Sequence, residues 1–81
     1  MPRFELFGTK SCPYTQDMRD WLEWKGHEYV EYDVELDHQA RARMIAISGG
    51  QRTVPILVES DAGDAHVVQI GWLGRGCVVA V

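Results

Sequence analysis

Apolar periodicity alternates between a two-residue pattern and a helical one several times within this chain of 81 residues. Alternating stretches predict strands, whereas apolar residues recurring three or four positions apart predict helices. The resulting order is strand, helix, strand, helix, strand, strand. The predicted bounds are Arg3 to Thr9, Pro13 to Lys25, Glu28 to Glu35, Asp37 to Ser48, Val54 to Glu59 and Ala65 to Ile70.

The first helix has start and stop signals at both ends. Pro13 suits the first helical position because no N–H is needed there, and Gly26 favours a left-handed end. The predicted buried stripe of this helix is Tyr14, Met18, Trp21 and Leu22. The corresponding stripe of the second helix is Ala40, Met44 and Ile47, and Gly49-Gly50 ends it.

This order of elements predicts a small α/β domain over residues 1 to 81. A right-handed helical crossover makes the first two strands parallel neighbours, and a turn from Ser60 to Asp64 makes the last two a hairpin. The expected architecture is a four-stranded mixed sheet with helices on both faces. The second strand has one acidic face, so we expect it at a sheet edge. Residues 71–81 give no clear element.

Charge and cysteine usage narrow the classes of function. The net charge is −4 and no Lys/Arg cluster is present, so nucleic acid and anionic membrane are not expected partners. No apolar run has the length of a signal or membrane-spanning segment. Cys12 and Cys77 are far apart and do not suggest a disulfide framework. A reducing cytoplasmic compartment is therefore the expected location.

Cys12 stands at the junction between the first strand and the first helix, directly before Pro13. Backbone N–H groups without helical partners and the positive end of the helix dipole point at this position. Such surroundings lower a thiol pKa and favour the nucleophilic thiolate. We expect Cys12 to be exposed and catalytic. Thr15 occupies the position where many thiol oxidoreductases have a second cysteine, which favours one-thiol chemistry through a mixed disulfide.

Three short motifs at element junctions resemble those of the glutaredoxin family. They are Cys12-Pro13-Tyr14-Thr15, Gln51-Arg52-Thr53-Val54-Pro55 and Gln69-Ile70-Gly71. The resemblance covers residues 3 to 72 in element order. It implies a thioredoxin-like fold, with the final helix short or absent because only residues 71–81 remain for it.

The resemblance implies a glutathione-dependent thiol–disulfide oxidoreductase that serves cell redox homeostasis and electron transport. Cys12 would attack the glutathione sulfur of a glutathionylated protein or small disulfide. A second glutathione would then regenerate Cys12 by a monothiol route. Glutathione is the expected co-substrate, no metal is expected, and the protein would be a monomer or weak homodimer.

The same resemblance implies a glutathione site beside Cys12. A cis Val54–Pro55 bond would turn the Val54 backbone toward the thiol, so that glutathione adds as an extended strand. Gln51 would lie near the glycine carboxylate, with Arg52 adding positive charge, and Gly71 and Trp72 would hold the γ-glutamyl end. The expected binding residues are Lys10, Tyr14, Gln51, Thr53, Val54, Pro55, Gly71 and Trp72.

Cys77 has two interpretations. It follows Gly76 and precedes the apolar run Val78-Val79-Ala80-Val81, which suits a small buried apolar residue. Alternatively, it is a resolving thiol that attacks glutathionylated Cys12 and forms a Cys12–Cys77 disulfide.

Two further functions are alternatives. One is an iron–sulfur carrier whose cluster is held by two Cys12 thiolates and two glutathiones across a dimer; Pro13-Tyr14 departs from the Cys-Gly-Phe-Ser signature of such carriers. The other is a partner-specific redox adaptor with weak glutathione binding and Cys77 as resolving thiol. Leu73-Gly74-Arg75-Gly76 favours the adaptor, because it replaces the acidic residue that commonly binds the glutathione amino group.

Overall fold

The computed structural model describes residues 3–61 and 63–79. Ala62, within the turn expected from Ser60 to Asp64, lies outside the described residues, as do Met1, Pro2, Ala80 and Val81. The described elements are β1 (Arg3–Gly8), α1 (Pro13–Lys25), β2 (Tyr29–Asp33), α2 (His38–Ile47), β3 (Thr53–Val54), β4 (Ile56–Asp61), β5 (Asp64–Ile70) and β6 (Cys77–Val78).

Local interactions explain where α1 ends and where α2 begins. Gly26 closes α1 with φ +73°, a left-handed conformation that glycine adopts without steric penalty. Asp37 precedes α2 and accepts a hydrogen bond from the Ala40 N–H at 3.0 Å, as an N-cap does. The predicted bounds of α1 are confirmed, and the predicted end residues of α2, Asp37 and Ser48, are its caps.

Within the described residues, four strands form one mixed sheet in the order β2-β1-β4-β5. β1 runs parallel to β2 and antiparallel to β4, and β4 pairs antiparallel with β5. The parallel first pair, the closing hairpin and the edge position of β2 are therefore confirmed. Because β1 is central, the junction that follows it lies in the middle of one end of the sheet.

Two strand predictions need correction. The second strand ends at Asp33, before the predicted Glu35, because Asp33 Oδ1 accepts from the Glu35 N–H at 3.0 Å and turns the chain. The predicted strand from Val54 to Glu59 is two strands, β3 and β4, and β4 continues to Asp61, two residues into the predicted turn. Pro55 separates them, since proline has no N–H to contribute to a ladder. β3 pairs antiparallel with β6 in a second, two-stranded sheet.

The core consists of one cluster on each face of the main sheet. Leu6 and Phe7 are neighbours in β1 and point to opposite faces. The α1 side contains Leu6, Met18, Leu22 and Leu57. The α2 side contains Phe7, Cys12, Val34, Ala40, Met44, Val54, Ile56, Val58 and Val79. This layering is the thioredoxin-like arrangement that the sequence predicts, although Tyr14, Trp21 and Ile47 of the predicted stripes are only partly buried.

No third helix follows β5 in the described part of the chain. Residues 71–79 instead turn back and form β6, which lies against β3. The expectation of a short or absent final helix is therefore confirmed for these residues. Val79 joins the core cluster on the α2 side and is 5 % exposed, so this segment covers part of that face.

Candidate active site

Backbone hydrogen bonds hold Cys12 from both sides. Its N–H donates to the Thr9 carbonyl oxygen at 3.4 Å, and its own carbonyl oxygen accepts from the N–H groups of Thr15 and Gln16 at 3.1 and 3.3 Å. Cys12 is the N-cap of α1, with φ −89° and ψ 115°, and Pro13 opens the helix. Cys12 therefore stands at the electropositive end of α1, where a thiolate is stabilised.

Thr15 joins α1 to β1 beneath this turn. It is fully buried, and a Cβ atom on Gly8 would approach Thr15 Cγ2 most closely and lie 2.6 Å from Thr15 Oγ1. The Thr9 N–H donates to that hydroxyl at 3.5 Å. Thr15 therefore packs the helix against the strand and fixes the turn that carries Cys12, a role that the four-residue motif did not reveal.

A disulfide bond joins Cys12 to Cys77, with the two Cα atoms 6.0 Å apart. Cys12 is 1 % exposed, so the expectation of an exposed sulfur is wrong for this oxidised form. The reason is that Cys12 packs in the core cluster on the α2 side, which also contains Val79, and that its sulfur is bonded to Cys77. Of the two interpretations of Cys77, the arrangement is that of a thiol paired with Cys12, and no cysteine in the described residues is free.

The edge of β3 expected to receive glutathione is paired with the chain's own β6. Val54 faces Cys77 and Thr53 faces Val78, and the Val79 N–H donates to the Arg52 carbonyl oxygen at 2.8 Å. The Val54–Pro55 bond is cis, as expected. Cys12 Sγ lies 3.9 Å from the Val54 carbonyl oxygen. A disulfide sulfur has no proton, so this is a contact rather than a hydrogen bond.

The backbone groups expected at the γ-glutamyl end are also engaged within the chain. The Gly71 N–H donates to the Pro55 carbonyl oxygen at 2.7 Å, and the Trp72 N–H donates to the Arg75 carbonyl oxygen at 2.7 Å. The Arg75 N–H returns a hydrogen bond to Trp72 at 2.9 Å. The Trp72 ring packs against Trp21 of α1, with ring centroids 6.4 Å apart, which gives this side chain a packing role.

The remaining predicted site residues differ in exposure. Lys10, Gln51 and Arg52 are exposed, whereas Tyr14 is partly buried and packs against the cluster that contains Cys12. Ser48 Oγ accepts from the Gln51 N–H at 3.2 Å. This hydrogen bond holds the segment that leads into β3 against the end of α2. Exposed basic side chains on both chain segments that lead to the disulfide, Lys10 on one and Arg52 on the other, favour an anionic ligand.

The sequence did not predict that the segment around Cys77 pairs with β3, although a Cys12–Cys77 disulfide was one of its two alternatives. The β-branched pair Val78-Val79 directly after Cys77 was the available signal, because such residues favour strands. A two-residue strand is nevertheless too short for periodicity to reveal its partner.

Among residues 3–61 and 63–79, no three His, Cys, Asp or Glu side chains converge as metal ligands would. Neither helix of the same ranges is long and apolar enough to span a membrane.

Comparisons with known proteins give one consistent family. The family model for glutaredoxin matches residues 4–62. A probable glutaredoxin of Synechocystis sp. is 36% identical over 61 residues, which is 75% of this chain and 56% of that relative. A second probable glutaredoxin of the same organism is 30% identical over 59 residues, covering 73% of this chain and 67% of the relative. The chain thus spans little more than half the length of the first relative. No solved structure matches significantly.

Proposed function

Since this chain belongs to the glutaredoxin family, we propose that it is a thiol–disulfide oxidoreductase with Cys12 as its nucleophile. The observation that carries the proposal is the bond between Cys12, at the N-cap of α1, and Cys77, which faces Val54. Two thiols that form and break one disulfide at a helix start can exchange an electron pair with an external disulfide.

The first step is nucleophilic attack by the Cys12 thiolate on one sulfur of a substrate disulfide. A bond forms between Cys12 Sγ and that sulfur while the substrate S–S bond breaks. The departing thiolate takes the electron pair and then a proton from water. The start of α1 favours this step because it stabilises the attacking thiolate before the new bond forms.

Glutathione is the proposed co-substrate, delivered as a glutathionylated protein or small disulfide. Two routes release it from Cys12. In the monothiol route, a second glutathione attacks the adduct and leaves as glutathione disulfide. In the other, the Cys77 thiolate attacks Cys12 Sγ, expels glutathione thiolate and forms the Cys12–Cys77 disulfide. Two more glutathiones then restore both thiols and leave as glutathione disulfide. The observed bond favours the Cys77 route.

The pairing between β3 and β6 supports the Val54 edge as the substrate edge. β6 is an extended segment whose cysteine reaches Cys12 while its backbone pairs with Thr53 and Val54. An extended tripeptide with a central cysteine has the same requirements, namely a free strand edge and a sulfur within bonding reach of Cys12.

The test is a disulfide-reduction assay with glutathione as the sole electron donor. Wild type, Cys12→Ser and Cys77→Ser are compared, and mass spectrometry identifies the adducts. We expect no turnover in Cys12→Ser, because the nucleophile is absent. In Cys77→Ser we expect slower turnover, with glutathionylated Cys12 accumulating. Full activity in Cys12→Ser contradicts the proposal, and unchanged kinetics in Cys77→Ser contradict the Cys77 route.

One observation favours the adaptor function as a second candidate. The Val54 edge and the Trp72 N–H are both occupied by the chain itself, so free glutathione has to compete with an intramolecular partner. Calorimetric titration of reduced wild type and reduced Cys77→Ser with glutathione separates the candidates. Measurable binding supports the glutathione enzyme, and its absence in both proteins supports the adaptor.

A further inference from the structure

Gly76 approaches β3 so closely that a side chain does not fit there. A Cβ atom at Gly76 would lie 2.5 Å from Thr53 Cγ2 and 2.6 Å from the Val54 carbonyl oxygen. Both distances are well below van der Waals contact. The Thr53 methyl group could move, but the Val54 carbonyl belongs to the ladder between β3 and β6 and is fixed by it.

The position of Gly76 relative to the disulfide gives this close approach a chemical meaning. Gly76 immediately precedes Cys77, which faces Val54 and is bonded to Cys12. An external segment that pairs antiparallel with the same edge, in the register of β6, and presents its cysteine to Cys12 places the preceding carbon where Gly76 lies. That carbon meets Thr53 and Val54 in the same way.

The residue after the cysteine is under a different constraint. Val78 is 79 % exposed, although its backbone faces Thr53. The side chain that follows a docked cysteine therefore points away from the protein and can vary. Selection at this edge acts on the position before the cysteine.

We propose that the β3 edge selects cysteine-bearing segments by the carbon that precedes the cysteine, accepting an unbranched CH₂ and rejecting a carbon that bears a side chain. Two chemical classes satisfy this rule. One is a glycyl-cysteine segment of a protein. The other is a γ-glutamyl-cysteine unit, because the γ-linkage places a CH₂ group next to the amide. Thr53 and Val54 are the specificity-determining residues, and the inference rests on the proposed attack of Cys12 on external disulfides.

The experiment uses reduced Cys77→Ser protein and three mixed disulfides with 5-thio-2-nitrobenzoate. The partner thiols are acetyl-Gly-Cys-amide, acetyl-Ala-Cys-amide and glutathione. The Cys12 thiolate attacks the peptide sulfur, the Cys12–sulfur bond forms as the S–S bond breaks, and thionitrobenzoate leaves with the electron pair. Its absorbance gives the rate, and mass spectrometry verifies the Cys12–peptide adduct. Each rate is divided by that of the same disulfide with free cysteine, which removes intrinsic reactivity.

We expect the Gly-Cys and glutathione disulfides to react at comparable normalised rates. The Ala-Cys disulfide should react at least about tenfold more slowly. The free-energy cost of one overpacked methyl group is of the size that corresponds to a tenfold change in rate. Adding Thr53→Ser removes Cγ2 and should narrow the Gly/Ala ratio, whereas the matched variant Val78→Ala should leave it unchanged.

Equal rates for Gly-Cys and Ala-Cys disulfides, with Cys12 adducts formed in both, overturn the selectivity and leave the proposed function standing. A Gly/Ala ratio that Thr53→Ser leaves unchanged overturns the role of Thr53. If none of the three disulfides forms an adduct with Cys12, the proposed function itself is wrong. The outcomes are therefore distinguishable.

Discussion

Cys77 faces Val54 across the ladder between β3 and β6, and its sulfur is bonded to Cys12 at the start of α1. The residue that precedes the cis proline thus supports the second thiol of the site through its backbone. A ligand that approaches Cys12 along β3 and the chain's own Cys77 consequently require the same edge, so reduction of the disulfide and access to the site are linked.

The first prediction concerns Gly76 and the Cys12–Cys77 bond. Gly76→Ala introduces a Cβ atom against Thr53 and Val54. The stability of the oxidised form should therefore fall by about 1–3 kcal/mol relative to that of the reduced form. The oxidised fraction measured at equilibrium in glutathione redox buffers should fall accordingly. Val78→Ala, at an exposed neighbouring position, is the control. An oxidised fraction equal to that of wild type contradicts the steric argument.

The second prediction concerns the turn that leads into β6. Trp72 and Arg75 form a bridge around Leu73, with φ +50°, and Gly74, with φ +77°. Two-residue turns with positive φ at both central positions favour Asn-Gly. Leu73→Asn should therefore stabilise the protein by about 1 kcal/mol, because the left-handed conformation costs leucine that much.

Urea unfolding of the oxidised protein measures this gain in the free energy of unfolding. Leu73 is 82 % exposed, so lost packing does not confuse the result. Leu73→Val is the opposite control, since a β-branched residue is disfavoured at positive φ, and it should be less stable than wild type. Equal stabilities of the Asn and Val variants argue against this backbone explanation.

The third prediction tests the contact that fixes the Cys12 turn. Gly8→Ala places a methyl group against Thr15 and should reduce the free energy of unfolding by about 1–3 kcal/mol. Thr15→Ala removes both atoms that clash most severely, so Gly8→Ala should cost less in that background. A double-mutant cycle followed by denaturant unfolding measures the coupling. Strict additivity would show that the two residues do not interact.

The fourth prediction concerns alkaline pH. Burial, followed by the hydrogen bond from the Tyr29 hydroxyl to Glu23 Oε2 at 3.0 Å, raises the pKa of Tyr29 to about 12. The folded state therefore favours the protonated phenol. Its contribution to stability is complete below the unfolded tyrosine pKa of about 10 and is lost as the pH rises from there toward about 12.

Ultraviolet absorbance titration should show the late ionisation of Tyr29 in wild type, and Tyr29→Phe should remove that transition. Tyr32→Phe is the matched control, because Tyr32 stacks on Phe7 instead of bonding to Glu23. The advantage of wild type over Tyr29→Phe in the free energy of unfolding should also narrow above about pH 10. A late transition that persists in Tyr29→Phe assigns the shift to another residue.

The sequence predicted the main sheet and both helices because local signals determine these elements. Periodicity gave the elements, Pro13 and Gly26 gave the ends of α1, and the parallel pairing followed from the helical crossover. Burial of Met18, Leu22 and Met44 then followed from which side of each helix was apolar.

The rest of the site depends on contacts between segments distant in sequence. Nothing local to Thr53-Val54 shows that they leave the main sheet to pair with Cys77-Val78. Likewise, the burial of Cys12 depends on a segment that joins it from 65 residues away. The helix start predicted that Cys12 stands at the N-terminus of α1, whereas the burial of Cys12 depends on β6, whose two residues carry no periodicity.

That separation has a consequence for the chain as a whole. The Cys12–Cys77 bond closes a loop that contains most of the polypeptide, and in the chain-entropy model such a closure stabilises the folded state by about 4 kcal/mol through the unfolded ensemble. Reduction opens this loop and removes that contribution. The oxidation state of one pair of sulfur atoms therefore changes the thermal stability of the entire domain.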